Sequence, residues 1–101
     1  MSTVSTPVQV PVAPDPAQVK RALTGILDHL DGSPRARDTL RGIAEWWAHS
    51  TVPATEAALS LLLELGLLQR SARNGQQLFG RNDELRLDQW QALVRRARSD
   101  G

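Results

Sequence analysis

The chain has 101 residues, of which 12 are basic and 11 acidic, and its formal net charge is +1. A chain of this length supports one hydrophobic core, so we expect a single domain, and the balanced charge lends little support to nucleic-acid binding, which usually needs a clear basic excess. The absence of cysteine excludes disulfides, thiolate metal sites and cysteine nucleophiles.

The first 14 residues contain three prolines, several small residues and no charged side chain. Because proline removes backbone donors and biases its neighbours to extended backbone, this composition predicts a flexible N-terminal tail over residues 1–14. The alternative is a strand that adds to the edge of a partner's sheet. Its basis is the position of four valines at even-numbered residues, as on one face of a strand: Val4, Val8, Val10 and Val12.

The first helix is predicted to begin at Asp15-Pro16, since aspartate caps free backbone amides and proline suits the first helical position. Gly32 is predicted to end this helix as a left-handed cap. Between them, apolar residues recur at helical spacing along one stripe. The stripe consists of Val19, Ala22, Leu23, Ile26, Leu27 and Leu30.

A second helix is predicted to begin at Ser33-Pro34 and to continue to about His49, with Leu40, Ile43 and Trp47 on one face. Trp46 is the neighbour of Trp47, and two adjacent helical positions cannot both point at one core. We therefore expect Trp46 at a boundary, where it either packs on another helix of the chain or contacts a partner.

The third helix is predicted from about Pro53 to Leu65 and ends at Gly66. Asn74-Gly75 separates two short semi-apolar runs, and this pair indicates a two-stranded β-hairpin because both residues tolerate positive φ. The last segment, from about Asp83 to Arg98, is predicted to be a final helix, because its apolar residues fall on one side: Leu87, Trp90, Leu93, Val94 and Ala97.

Three helices followed by a hairpin is the order of the winged helix-turn-helix domain. The stretch Thr55 to Asn82 resembles the third helix and wing of bacterial regulators typified by the MarR family, through Gly66, the strand Gly66-Leu67-Leu68-Gln69-Arg70 and the turn Asn74-Gly75. The resemblance covers little more than a quarter of the chain. It implies a mainly α fold: a winged-helix-like three-helix domain over 15–82 with a two-stranded hairpin, then a C-terminal helix within 83–101.

In a DNA-binding winged helix, the third helix presents basic or amide side chains to base edges in the major groove. The corresponding positions are Pro53, Ala54, Glu56, Ala57 and Ser60, and none of them is basic or an amide. A glutamate facing phosphates is repelled by them. This helix is therefore predicted to read DNA poorly.

The third helix is also rich in apolar residues. With Thr55, Leu59, Leu62 and Leu63 facing the core, Leu65 falls at the flank and Leu61 turns towards solvent. The predicted function is accordingly a non-enzymatic module that binds protein through Trp46, Ala57, Leu61 and Leu65. The alternative is that the C-terminal helix or the tail covers the two leucines within the same chain.

A DNA-binding regulator is the second functional hypothesis. Its candidate nucleic-acid contacts surround the hairpin, where the resemblance implies contacts to DNA: Arg70, Arg73, Asn74 and Arg81. The alternative for these arginines is a solvated hairpin edge. Arg35, Arg37 and Arg41 are interleaved with Asp38 and Glu45. The cations at the end of the last helix, Arg95, Arg96 and Arg98, suit the helix dipole and the solvent.

No enzymatic constellation and no cofactor motif is present in the sequence. His29 and His49 fall on different predicted helices without neighbouring ligands, so no metal site is predicted. No apolar run is long enough to cross a bilayer and no secretory signal is evident, so we expect a cytoplasmic protein without membrane contact. The partner is another protein or a second copy joined through the C-terminal helix.

Overall fold

The structure, a computed structural model, describes residues 14–100, which are mainly helical. Helices α1, α3 and α4 span Pro16–Gly32, Val52–Glu64 and Leu87–Asp100. Helix α2 begins with one α-helical turn, Leu40–Gly42, and continues as a π-helical segment, Ile43–Trp47. All but the last residue of the predicted tail, 1–14, lies outside the described residues.

Residues 14–100 contain three strands, β1 (Arg37–Asp38), β2 (Leu68–Arg73) and β3 (Gln76–Arg81), which form one antiparallel sheet in the order β1-β3-β2. The predicted hairpin is confirmed, but the prediction that the sheet has only two strands is wrong. Strand β1 was missed because two residues, one basic and one acidic, carry no alternating apolar pattern. They pair with Phe79 and Gly80, some forty residues later in the chain.

The second helix begins later than predicted, at Leu40 and not at Ser33-Pro34. The backbone of β1 makes its hydrogen bonds to β3, so these residues cannot also belong to a helix. Thr39 then caps α2, because its Oγ1 accepts a hydrogen bond from the Gly42 amide at 3.2 Å.

The predicted start of α1 and the two predicted turns are confirmed. Asp15 Oδ1 accepts a hydrogen bond from the Ala17 amide at 2.9 Å. Asn74 and Gly75 have φ values of 54° and 78°, as a tight hairpin turn requires, and Gly66 ends α3 with φ 80°. The prediction that Gly32 forms a left-handed cap after α1 is wrong. Gly32 is the last residue of the helix, and the Ser33 amide donates a hydrogen bond to the His29 carbonyl.

The hydrophobic core lies between α1, α2 and α3, and the sheet and α4 close its other sides. The predicted apolar stripe of α1 is buried, with Val19 half-buried at its start. The core side chains that α2, α3, the loop after α3, the strands and α4 contribute include Ile43, Trp47, Ala58, Leu59, Leu62, Leu67, Leu68, Phe79, Trp90 and Ala97.

Helix α4 packs on the rest of the domain through the buried side chains of Ala97 and Trp90, of which Trp90 is 2% exposed. Its Nε1 donates a hydrogen bond to Asp31 Oδ1 of α1 at 3.2 Å. The Arg81 guanidinium lies over its ring, 4.6 Å from the centroid. An ion pair between Arg98 and Asp28 at 2.9 Å adds a second link to α1.

The final helix begins at Leu87 and not at Asp83 as predicted. Asn82 Oδ1 accepts a hydrogen bond from the Glu84 amide, which folds this segment into a turn. Asp83 itself forms an ion pair with Arg37 of β1 at 2.7 Å. The segment before α4 is therefore fixed to the sheet and does not extend the helix.

Candidate protein-binding groove

The outward side of α3 is acidic. After the first two, its exposed residues lie three or four positions apart, and together they form a single strip along the helix, which consists of Val52, Pro53, Glu56, Ser60 and Glu64. This strip contains two carboxylates and no cation. Ala54, which was predicted among the base-reading positions, is fully buried.

A groove separates α3 from the β2–β3 hairpin, and we call it the α3–hairpin groove. Its apolar lining comes from α2, α3 and β3, and its polar lining from α3 and the hairpin. The enclosed volume is about 240 Å³, below the range usual for small-molecule pockets. The apolar lining residues are Leu40, Leu59, Leu63 and Phe79, and the polar ones are Glu56, Ser60, Arg70 and Gln77.

Local structure explains why these side chains meet. Arg70 and Phe79 are directly opposite each other in the hairpin register, so both point to one face of the sheet. Gln77 lies two residues before Phe79 and shares that face. On α3, residues 56, 59, 60 and 63 are neighbours on the helix surface because they are three or four positions apart.

Opposite charges line the two walls of the groove. Glu56 lies on the α3 wall and Arg70 on the hairpin wall, and both residues are exposed. Within residues 14–100 the ion pairs are Arg37–Asp83, Arg86–Asp88 and Arg98–Asp28, so neither wall charge is neutralised by a salt bridge there.

The predicted protein-binding residues do not line this groove. Ala57, Leu61 and Leu65 lie on the other flank of α3 and are half-buried, and both leucines pack against the core. The expectation that Leu61 turns towards solvent is therefore wrong, because the core-facing surface of α3 is wider than the stripe assumed. Trp46 is 67% exposed and stays a candidate contact.

The predicted nucleic-acid contacts are spread over the hairpin. Arg70 belongs to the groove wall, whereas Arg73 is exposed at the end of β2 beside the Asn74 turn. An odd separation along a strand places Arg70 and Arg73 on opposite faces. Arg81 is half-buried and its guanidinium lies over Trp90, so it supports the attachment of α4.

Sequence reasoning missed Leu40, Leu63, Phe79 and Gln77 as site residues. The groove joins three segments that are distant in the sequence, so no local pattern indicates it. The hairpin turn was the one usable signal, because a turn at Asn74-Gly75 fixes the register that pairs Arg70 with Phe79.

Other kinds of site find little support among residues 14–100. His29 stacks on Trp47 with ring centroids 4.4 Å apart. In this part of the chain no three histidine or acidic side chains come together as metal ligands would. None of its helices combines the length and apolar character needed to span a bilayer.

Compared with protein-family models, curated proteins and solved structures, the chain matches none. Its function must therefore be inferred from the residues and the groove.

Proposed function

We propose that the domain is a non-enzymatic winged-helix module that binds another protein in the α3–hairpin groove. The order of three helices followed by a hairpin supports the winged-helix assignment. In DNA-binding members of that class, the third helix is the element that enters the major groove. Here the surface between α3 and the hairpin is an apolar groove, and the exposed strip of α3 beside it is acidic.

The observation that carries the proposal is the combination of an acidic strip on α3 with an apolar groove beside it. A helix that enters a DNA groove lies among phosphates, where Glu56 and Glu64 add repulsion and supply no counter-charge. An apolar floor with a polar rim is instead the usual composition of the centre of a protein interface.

The groove also restricts the chemistry of the partner. A volume of about 240 Å³ accommodates one or two large apolar side chains. Glu56 on the rim favours a lysine or arginine next to that apolar residue. At this exposed position the opposite charges attract each other while both keep part of their hydration, so the cost of desolvation stays small. The partner segment therefore presents a bulky apolar residue with a basic residue on the α3 side, whereas Arg70 favours an acidic residue on the hairpin side.

The test is a selection of random dodecapeptides, displayed on phage, against the full chain. We expect enrichment of peptides that pair a bulky apolar residue with a lysine or arginine. Glu56→Lys should weaken the binding of these peptides at least about tenfold, since it replaces attraction with repulsion. The matched control is Glu64→Lys, which makes the same charge change on α3 outside the groove and should leave the affinity within about twofold.

Both variants are at exposed positions, so far-ultraviolet circular dichroism should be unchanged for each. The proposal fails if the selection enriches no peptide over background. It also fails if the enriched peptides bind the Glu56→Lys and Glu64→Lys variants equally well.

DNA binding through the hairpin is the second candidate function, and the exposed position of Arg73 beside the turn favours it. We expect only weak duplex binding that does not depend on sequence and declines only gradually with salt, since few cations are involved and few counterions are released. Fluorescence anisotropy with labelled duplexes measures this. Sub-micromolar, sequence-selective binding that Arg73→Ala abolishes would establish the DNA hypothesis in place of the protein one.

A further inference from the structure

One flank of α4 is exposed and carries an unpartnered apolar side chain. Trp90 and Ala97 define the buried side of this helix. Leu87 lies about 60° from Trp90 around the helix axis, taking about 100° per residue, and is 63% exposed. Gln91 and Arg95 continue the same flank and are also exposed. We call Leu87, Asp88, Gln91, Val94 and Arg95 the α4 flank.

The same flank contains a hollow. A shallow depression of about 530 Å³ lies between α4 and the end of α1, about one to three turns beyond Leu87. Trp90 and Val94 supply its apolar lining. The helix therefore carries both an apolar projection and, further along, an apolar hollow that such a projection can fill. The polar lining residues are Asp31, Gln91, Arg95 and Arg98.

The projection and the hollow of the α4 flank carry opposite charges. Asp88 lies beside the projecting Leu87, and Arg95 lies beside the hollow. Asp88 contacts Arg86 at 3.4 Å, but both side chains are about three-quarters exposed, so this pair contributes little. The acidic start of α4 thus remains open to a second cation.

We infer that two copies of the chain associate through antiparallel α4 helices, with a twofold axis near Gln91. Leu87 lies four residues before Gln91 and Arg95 four residues after it, so this axis brings Leu87 of each copy to the hollow of the other. The same axis brings Asp88 towards Arg95 of the second copy.

A twofold interface must be complementary to itself, and the α4 flank satisfies this condition in shape and in charge. Antiparallel helices also oppose their dipoles, which favours this orientation over the parallel one. The α4 flank shares no residue with the α3–hairpin groove. The inference therefore stands or fails independently of the proposed function.

Sedimentation equilibrium of the full chain from about 10 µM to about 1 mM tests the inference. We expect the average mass to rise with concentration from one chain towards two. Leu87→Glu should weaken association at least about tenfold, because each dimer loses both projections. The control is Gln89→Glu, which introduces the same charge at an exposed position about 160° around α4 from Leu87 and should leave association unchanged.

A charge exchange tests the antiparallel arrangement. Asp88→Arg alone and Arg95→Glu alone should each weaken self-association, since each places like charges together twice across the twofold axis. An equimolar mixture of the two variants should recover it as a heterodimer, because both contacts become attractive. Circular dichroism of each variant confirms that the helices are retained.

Three results would overturn the inference. The first is a single-chain mass throughout the concentration range. The second is association that Leu87→Glu leaves unchanged, which would assign the contact to another surface. The third is a mixture of Asp88→Arg and Arg95→Glu chains that associates no better than either variant alone.

Discussion

Trp90→Ala is expected to lower the free energy of unfolding by about 3–5 kcal/mol, the usual cost of truncating a buried aromatic side chain. Trp90 is 2% exposed and belongs to the hydrophobic core. Packing dominates this loss: the hydrogen bond to Asp31 is worth about 1 kcal/mol, and the exposed Asp31 carboxylate can be solvated once it is free. The contact with the Arg81 guanidinium is lost as well.

The matched control for this variant is Trp46→Ala. Trp46 is 67% exposed, so its removal should change the free energy of unfolding by less than about 0.5 kcal/mol. Urea denaturation followed by circular dichroism measures both variants. Equal destabilisation by the two substitutions would mean that α4 is not attached to the core through Trp90 in the way described.

We expect Gly25→Ala to destabilise the domain by about 1–3 kcal/mol, the range for overpacking a close contact. Helix α1 approaches the end of α2 so closely at Gly25 that a Cβ atom there would lie 2.6 Å from the Trp47 carbonyl oxygen and 2.9 Å from the Ala48 Cα. Both are backbone atoms, which cannot rotate away as a side chain can. The two helices would have to separate.

Gly32→Ala is the control within the same helix. A Cβ at Gly32 meets nothing within 4 Å, and alanine favours helix over glycine by about 0.5–1 kcal/mol. This variant should therefore be as stable as the native chain or slightly more stable. The interpretation of the α1–α2 contact is wrong if Gly25→Ala raises the midpoint of urea denaturation as Gly32→Ala does.

The position of α3 explains why an apolar helix can leave a groove for a partner. On one flank, Leu61 and Leu65 pack against the domain's own core. On the other flank, Leu59 and Leu63 line the α3–hairpin groove together with Phe79. The two flanks of α3 have similar apolar sequences, but the core covers part of the first, whereas the second borders the open groove. The proposed function concerns the second flank, whereas the sequence directed attention to the first.

Local features of this protein were determined by the sequence alone. The cap at Asp15, the end of α3 at Gly66 and the turn at Asn74-Gly75 each depend on residues within a few positions of one another. Their backbone preferences act before any tertiary contact forms. The buried stripe of α1 was equally predictable, because a narrow apolar stripe leaves one choice of which face to bury.

Tertiary structure decided the rest. Strand β1 exists because β3 offers it backbone partners, and no preference of Arg37 or Asp38 would reveal this. The burial of Leu61 depends on which elements pack beside α3, which a helical period does not specify. The α3–hairpin groove likewise requires α2, α3 and the hairpin to meet. Contacts between distant segments depend on how whole elements pack, and that arrangement is set by the free energy of the complete fold rather than by any short stretch of chain.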